Sequence, residues 1–200
     1  MEELIVIYDK EKRDRGRDSY IRAIKKQIPG VRVADVANLP EVRRSKLLIL
    51  KPMNDGDYET LKTFLKYNPG RDIEGIGSGK LTITAEAIIR VIGPVDKKTV
   101  VIINQSDVLG RPLAKELIER GANVISLNSS YPCIDNLLTM TDIDVLVSAS
   151  GQGDFEMDRE LTRMIDVKID LSNDLEDPIK ITSVPTIEVL EDRLKSWARY

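Results

Sequence analysis

The stretch from Asn104 to Pro112, N-Q-S-D-V-L-G-R-P, combines residue types that suit one chemistry: holding a phosphate-bearing ligand on backbone amides. Four polar residues, Asn104, Gln105, Ser106 and Asp107, follow the β-branched run Thr99–Ile103, and Gly110 closes the turn. A continuous β-branched run is what a parallel strand covered on both faces requires. Pro112 fits the first turn of a helix, where its missing N–H is no loss. Leu113, Leu117 and Ile118 then form the apolar stripe of a helix predicted over 111–120, which Gly121 ends before a strand over 123–127. Such a strand-helix-strand unit turns helix amides and the positive end of the helix dipole toward the carboxyl edge of the sheet, where a pyrophosphate is stabilised. The glycine fingerprint G-x-G-x-x-G is absent, and only Gly110 remains of it.

Composition narrows the chemistry further. There is no histidine, so imidazole catalysis and His-containing metal sites are excluded, and no metal site is expected from the single cysteine, Cys133. One cysteine also excludes an internal disulfide and fits a reducing compartment. A net charge of −3 gives no bulk attraction to nucleic acid or to an anionic membrane, which favours a small-molecule or protein partner. The basic clusters Arg13–Arg17 and Lys25–Lys26 read as solvated faces. No apolar run approaches the ~18 residues a membrane span needs, and the start, MEELIVIYDKEKR, does not have the form of a signal peptide, so a cytoplasmic location is expected.

The elements that must position these residues alternate. Strands are predicted over 4–8, 31–36 and 46–50, with helices over 18–28, 39–44 and 58–67, as in an α/β unit. Gly75, Gly77 and Gly79 mark a hinge or site loop, and Thr84 is a candidate N-cap for a helix running to Ile92. Gly93 and Pro94 open a second unit with strands over 99–103, 123–127, 145–149 and 167–171. A last helix over 186–200 carries Ile187, Leu190, Leu194 and Trp197 on one face. The expected organisation is an N-terminal α/β domain over 1–82, a connecting helix over 83–94, and a dinucleotide domain over 95–185.

At the level of residues, Ile103–Pro112 resembles the cofactor turn V-I-(G or N)-R-S-x-(I/V)-V-G-x-P of the methylenetetrahydrofolate dehydrogenase/cyclohydrolase family. The likeness continues through 141–155, TDIDVLVSASGQGDF, and through 167–173. It implies a small catalytic-type α/β domain, joined by the C-terminal helix over 186–200, and a Rossmann-like, doubly wound parallel-sheet domain. It also implies a homodimer, and a folate or related pterin as substrate. Asn104, Gln105, Ser106, Gly110, Arg111 and Pro112 would frame the pyrophosphate. Asn128 and Ser129, after the next strand, would also contact the cofactor, and Ala149, Ser150 and Gly151 would lie beside the nicotinamide. NADP-using relatives carry an arginine in the turn and a basic residue after the next strand. Here those positions are Gln105 and Ser130, and two neutral side chains cannot pair a 2′-phosphate, so NAD is favoured over NADP.

On the folate side, Tyr20 matches the tyrosine of the family's Y-x-x-x-K, while the lysine position is Ile24 and Lys25 stands one residue on. The family's (I/V)-L-V-Q-L-P corresponds to Leu47–Pro52, which places Lys51 at the site. Its D-V-D-G corresponds to Asp72–Gly75, with Glu74 in place of the aspartate that grips the pteridine amino group. The resemblance thus nominates Tyr20, Lys25, Lys51 and Glu74 for the chemistry of a dehydrogenase. The missing lysine makes cyclohydrolase activity doubtful. The glycine loop expected after the last strand is replaced by Ser183–Thr186, which leaves a non-catalytic dinucleotide-binding module as the alternative.

Overall fold

β1 (Leu4–Tyr8) is the centre of a three-stranded parallel sheet, flanked by β2 (Arg32–Asp35) and β3 (Lys46–Ile49) in the order β2-β1-β3. Its residues Ile5, Val6 and Ile7 are fully buried, as expected of a strand covered on both faces. The structure, a computed structural model, describes residues 3–39, 45–140, 142–152, 155–180 and 183–197. The helix expected over 39–44 lies almost wholly outside the described residues; the segment before it is a single 3-10 turn, Val36–Asn38.

The helices start earlier than hydrophobic periodicity suggests, because their caps are side-chain hydrogen bonds. α1 (Arg15–Gln27) begins after Asp14, whose carboxylate accepts from the Arg17 N–H, and α2 (Asp55–Tyr67) begins after Asn54, which accepts from the Gly56 N–H. α3 (Ile83–Ile92) corrects the expectation for Thr84, which lies inside the first turn. The Ile83 N–H is instead taken by the Glu74 carboxyl, and the Thr82 hydroxyl is buried without a hydrogen bond.

The second sheet contains β4 (Thr99–Ile103), β5 (Asn123–Leu127), β6 (Val145–Ser148), β7 (Val167–Asp170) and the two-residue β8 (Ile179–Lys180). All pairings are parallel and the order is β5-β4-β6-β7-β8, so the winding reverses between β4 and β6. Four of these strands fall within about a residue of expectation. β8 is too short to carry a periodic signal. α4 (Gly110–Glu119) links β4 to β5, with α5 (Ile134–Met140) and α6 (Arg159–Thr162) further along the chain. Val101, Ile103 and Leu146 pack with Ile134, Leu138 and Met157, and each such burial contributes roughly 1.5–3 kcal/mol. The C-terminal helix, α7, spans Ser183–Trp197 and buries Ile187 and Leu190; residues 198–200 lie outside the described part.

The chain divides into two compact units, residues 1–83 with 186–200, and residues 84–185. Each holds its own sheet, and the chemistry-bearing residues gather separately in each.

Candidate functional site

In the second unit, the turn after β4 is built around one side chain. Asn104 Oδ1 accepts from the Ser106 N–H at 2.9 Å, the Ser106 hydroxyl at 2.7 Å and the Gly110 N–H at 2.9 Å, while its Nδ2 donates to the Ala149 carbonyl at 2.7 Å. Asn104 therefore clamps the start of α4 to the end of β6, across the place where the winding reverses. That crevice is where open α/β sheets bind ligands. Gly110 packs so tightly that an added Cβ would stand 1.9 Å from the Asn104 carbonyl oxygen. A cradle this close to the backbone suits a pyrophosphate laid against helix amides.

The remaining residues expected here fall around that turn. Pro112 lies in the first turn of α4, and Arg111 is exposed beside it. Gln105 donates to the Ser126 carbonyl at 2.9 Å, and with Arg111, Lys115 and Ser126 it lines a cavity of about 550 Å³. Asn128 closes the turn after β5 by accepting from the Ser130 N–H and hydroxyl. Ser129 lines a small neighbouring cavity of about 170 Å³.

The edge Ala149–Gly151 is held by a residue that sequence reasoning missed. Asp174, 3% exposed, accepts from the Ser148 hydroxyl at 2.6 Å, from the Ser150 N–H at 3.2 Å and from the Ser150 hydroxyl at 2.9 Å. Asp170 shapes the loop beneath by accepting from the N–H groups of Ser172, Asp174 and Leu175. Gly151, at φ 69°, donates its N–H to the Ser172 hydroxyl. Two aspartates four apart at the carboxyl end of a strand were the available signal.

In the first unit, Asp72 organises the glycine loop. Its carboxylate accepts from the N–H groups of Gly75, Gly77 and Ser78 at 2.7–2.8 Å. This fold of the loop directs Glu74 inward, where it is buried beside Asp72 and Arg193 and takes the Ile83 N–H. Burial pushes the Glu74 carboxyl up to about 8. Arg193 opposes the rise and Asp72 adds to it, so Glu74 keeps its proton at neutral pH. The Tyr20 hydroxyl is enclosed near Glu74, Thr186 and Arg193 without a hydrogen bond of good geometry, and burial pushes its pKa up.

The structure thus brings Tyr20 and Glu74 together and separates Lys25 from them. Lys25 is exposed and lines a cavity on the other flank of α1, because five residues of helix rotate it about 140° from Tyr20. Lys51 is exposed and places its Nζ 3.8 Å from the centre of the Tyr58 ring. Ile24 is fully buried in the core face of α1, so no lysine stands where the family motif has one.

Arg193, on α7, was also missed. It donates to the carbonyls of Ile73 at 2.7 Å, Glu74 at 3.1 Å and Leu81 at 2.6 Å, tying the helix to both ends of the glycine loop. A cation on the apolar stripe of a helix was the only hint. Arg193→Ala leaves three carbonyls and a buried acid without this partner. It is expected to cost about 3 kcal/mol in chemical denaturation, and an unchanged midpoint would show the tie to be incidental.

The fold and site define a protein class: a two-unit α/β chain whose second unit is a Rossmann-like NAD(P)-binding domain. The sequence profile of the tetrahydrofolate dehydrogenase/cyclohydrolase NAD(P)-binding domain matches residues 82–181, and the chain belongs to that family. It is 28% identical over 144 residues to the bifunctional protein FolD of Dictyoglomus thermophilum, covering 64% of this chain and 50% of the relative. The chain spans about half the length of the curated relatives it matches. In fold it is similar to the NAD-dependent 5,10-methylenetetrahydrofolate dehydrogenase of Saccharomyces cerevisiae, with TM-score 0.74 and 16% identity over 99% of this chain and 87% of that one. It is also similar to the NADP-complexed FolD of Trypanosoma brucei, with TM-score 0.71 and 19% identity over 98% and 86%.

Proposed function

We propose that the chain is an NAD-dependent dehydrogenase of 5,10-methylenetetrahydrofolate or a related pterin one-carbon carrier, acting as a cytoplasmic homodimer with weak or no cyclohydrolase activity. The single observation that carries this reading is the Asn104 clamp, which ties the amide-rich start of α4 to the Ala149–Gly151 edge. Ser106, Gly110, Arg111 and Pro112 would hold the pyrophosphate, with Gln105, Asn128 and Ser129 toward the adenosine. Ala149, Ser150 and Gly151 would border the nicotinamide, with Asp174 as the positioning residue behind them. When bound, the nicotinamide supplies the acceptor for the hydride.

The chain's own task is to orient and to exclude water. Tyr20 offers a ring against the pterin. Glu74 offers a carboxyl oxygen to the 2-amino group, one methylene further from the backbone than the family's aspartate. Lys51 remains a polar neighbour after β3. Hydride loss from a methylene between two nitrogens needs little acid-base help, whereas hydrolysis of the methenyl product needs a proton carrier. The burial of Ile24 and the turning away of Lys25 support the loss of that second activity.

Incubation of purified protein with methylene-tetrahydrofolate and NAD is expected to give reduced nicotinamide and an accumulating methenyl product. NAD should bind more tightly than NADP in calorimetry, since Gln105 and Ser130 are neutral. Tighter NADP binding would instead assign its 2′-phosphate to the cations of the Gln105 cavity, Arg111 and Lys115. No reduction with either cofactor would overturn the enzyme reading. Nucleotide binding without folate binding would then identify a non-catalytic dinucleotide module.

A further inference from the structure

The two basic runs that read as solvated faces in the sequence are neighbours in the fold. α1 carries Arg15, Arg22 and Lys25 on the flank facing Val33 of β2, and the segment leading into α1 brings Arg13 to the same place. Together they border a concavity of about 830 Å³ floored by Tyr8, Ile21 and Val33. It lies wholly within the first unit, on the flank of α1 away from Tyr20.

The charges around it do not cancel. Lys10 is paired with Asp35 at 3.1 Å, and Arg17 with Asp18 at 3.0 Å, while Asp14 caps α1. Among the described residues, the side chains of Arg13, Arg15, Arg22 and Lys25 have no hydrogen bond or ion pair. Four unmatched cations thus surround one concavity on a chain whose net charge is −3. Like charges gathered over a low-dielectric floor repel one another and concentrate anions.

Three of the four are arginines, whose planar forks match phosphate oxygens two at a time. The volume falls in the range of small-molecule sites, roughly 300–1,000 Å³, and exceeds what a lone phosphate fills. We propose that this concavity binds a polyphosphate anion of three to four negative charges, with the apolar floor available to a group attached to it. The shared chemistry is that of a nucleoside polyphosphate or of inorganic polyphosphate. The site is separate from the dinucleotide turn, which belongs to the other unit.

Calorimetry of the full chain, with NAD at saturation to occupy the Asn104–Pro112 turn, tests this with tripolyphosphate and with ATP in magnesium-free buffer. One equivalent of tripolyphosphate is expected to bind, with affinity falling steeply as salt rises. Arg13→Ala/Arg22→Ala is expected to weaken binding by about tenfold or more, with an unchanged melting curve because both side chains are exposed. Tighter binding of ATP would assign the floor to a nucleoside, and equal affinities would assign the site to the polyphosphate alone; both sustain the proposal. No binding of either probe at low salt, or binding undiminished in the double variant, would overturn it.

Discussion

Gly110→Ala is expected to abolish nucleotide binding and to destabilise the second unit by about 3 kcal/mol, the upper end of what overpacking costs. The added Cβ would stand 1.9 Å from the Asn104 carbonyl oxygen, 2.4 Å from its carbon and 2.8 Å from Oδ1. Two of these atoms are backbone, so no rotamer change relieves the clash. The start of α4 must move away from β4, and Asn104 then loses its hold on Gly110 and Ser106 together. Gly70→Ala is the control. Nothing lies within 4 Å of its added Cβ, and its effect is expected to stay within about 0.5 kcal/mol. Denaturant midpoints and NAD titrations of the two variants measure both consequences. A Gly110→Ala protein as stable and as tightly binding as the parent would refute the packing of this turn.

The second large effect is a pH dependence set by Glu74. Its carboxyl titrates near 8 in the folded chain because it is buried, against about 4.3 in an unfolded one. Between these values the folded state holds a proton that the unfolded state has lost. The contribution of Glu74 is therefore fully present below the unfolded pKa and falls as pH rises toward 8. At 1.36 kcal/mol per unit the loss is on the order of 4 kcal/mol. Glu74→Gln keeps a neutral, hydrogen-bonding side chain and removes the titration. Its unfolding free energy is expected to change less between pH 5 and pH 8 than that of the parent, by up to that amount. Parallel curves for the two proteins would show that Glu74 is ionised throughout. The same ionisation affects the proposed site, since a charged Glu74 would accept from a pterin amino group more strongly while weakening the fold that presents it.

Much of this architecture is legible in local pattern. The β-branched runs at 4–8 and 99–103 mark the central strands of the two sheets, because a strand buried on both faces has no polar position to alternate with. Asn104, Gly110 and Pro112 announce a turn into a helix start, since each type has a conformational reason to stand there. Lys25, nominated for standing one residue from the motif position, is turned by helix rotation to another face of α1 than Tyr20.

Periodicity could not show the side-chain caps that start α1 and α2, nor that the Glu74 carboxyl, not Thr84, meets the first amide of α3. Both depend on which side chain reaches a free N–H, and the apolar pattern is silent on that.

The tertiary structure alone decided the partners. Arg193 meets Ile73 from 120 residues away, and Asp174 reaches Ser148 across 26. The unpaired cations Arg13 and Lys25 line one concavity together with Val33 of β2. Local sequence sets backbone conformation through steric and hydrogen-bonding terms that act over a few residues. The pairing of buried charges and polar groups is fixed only when the sheets close and water is removed. At that stage the cost of an unmatched group makes each partner matter. The turn from β4 into α4 could therefore be read from Val100–Ala114, while the groups that hold its far edge and the acid of the first unit could not.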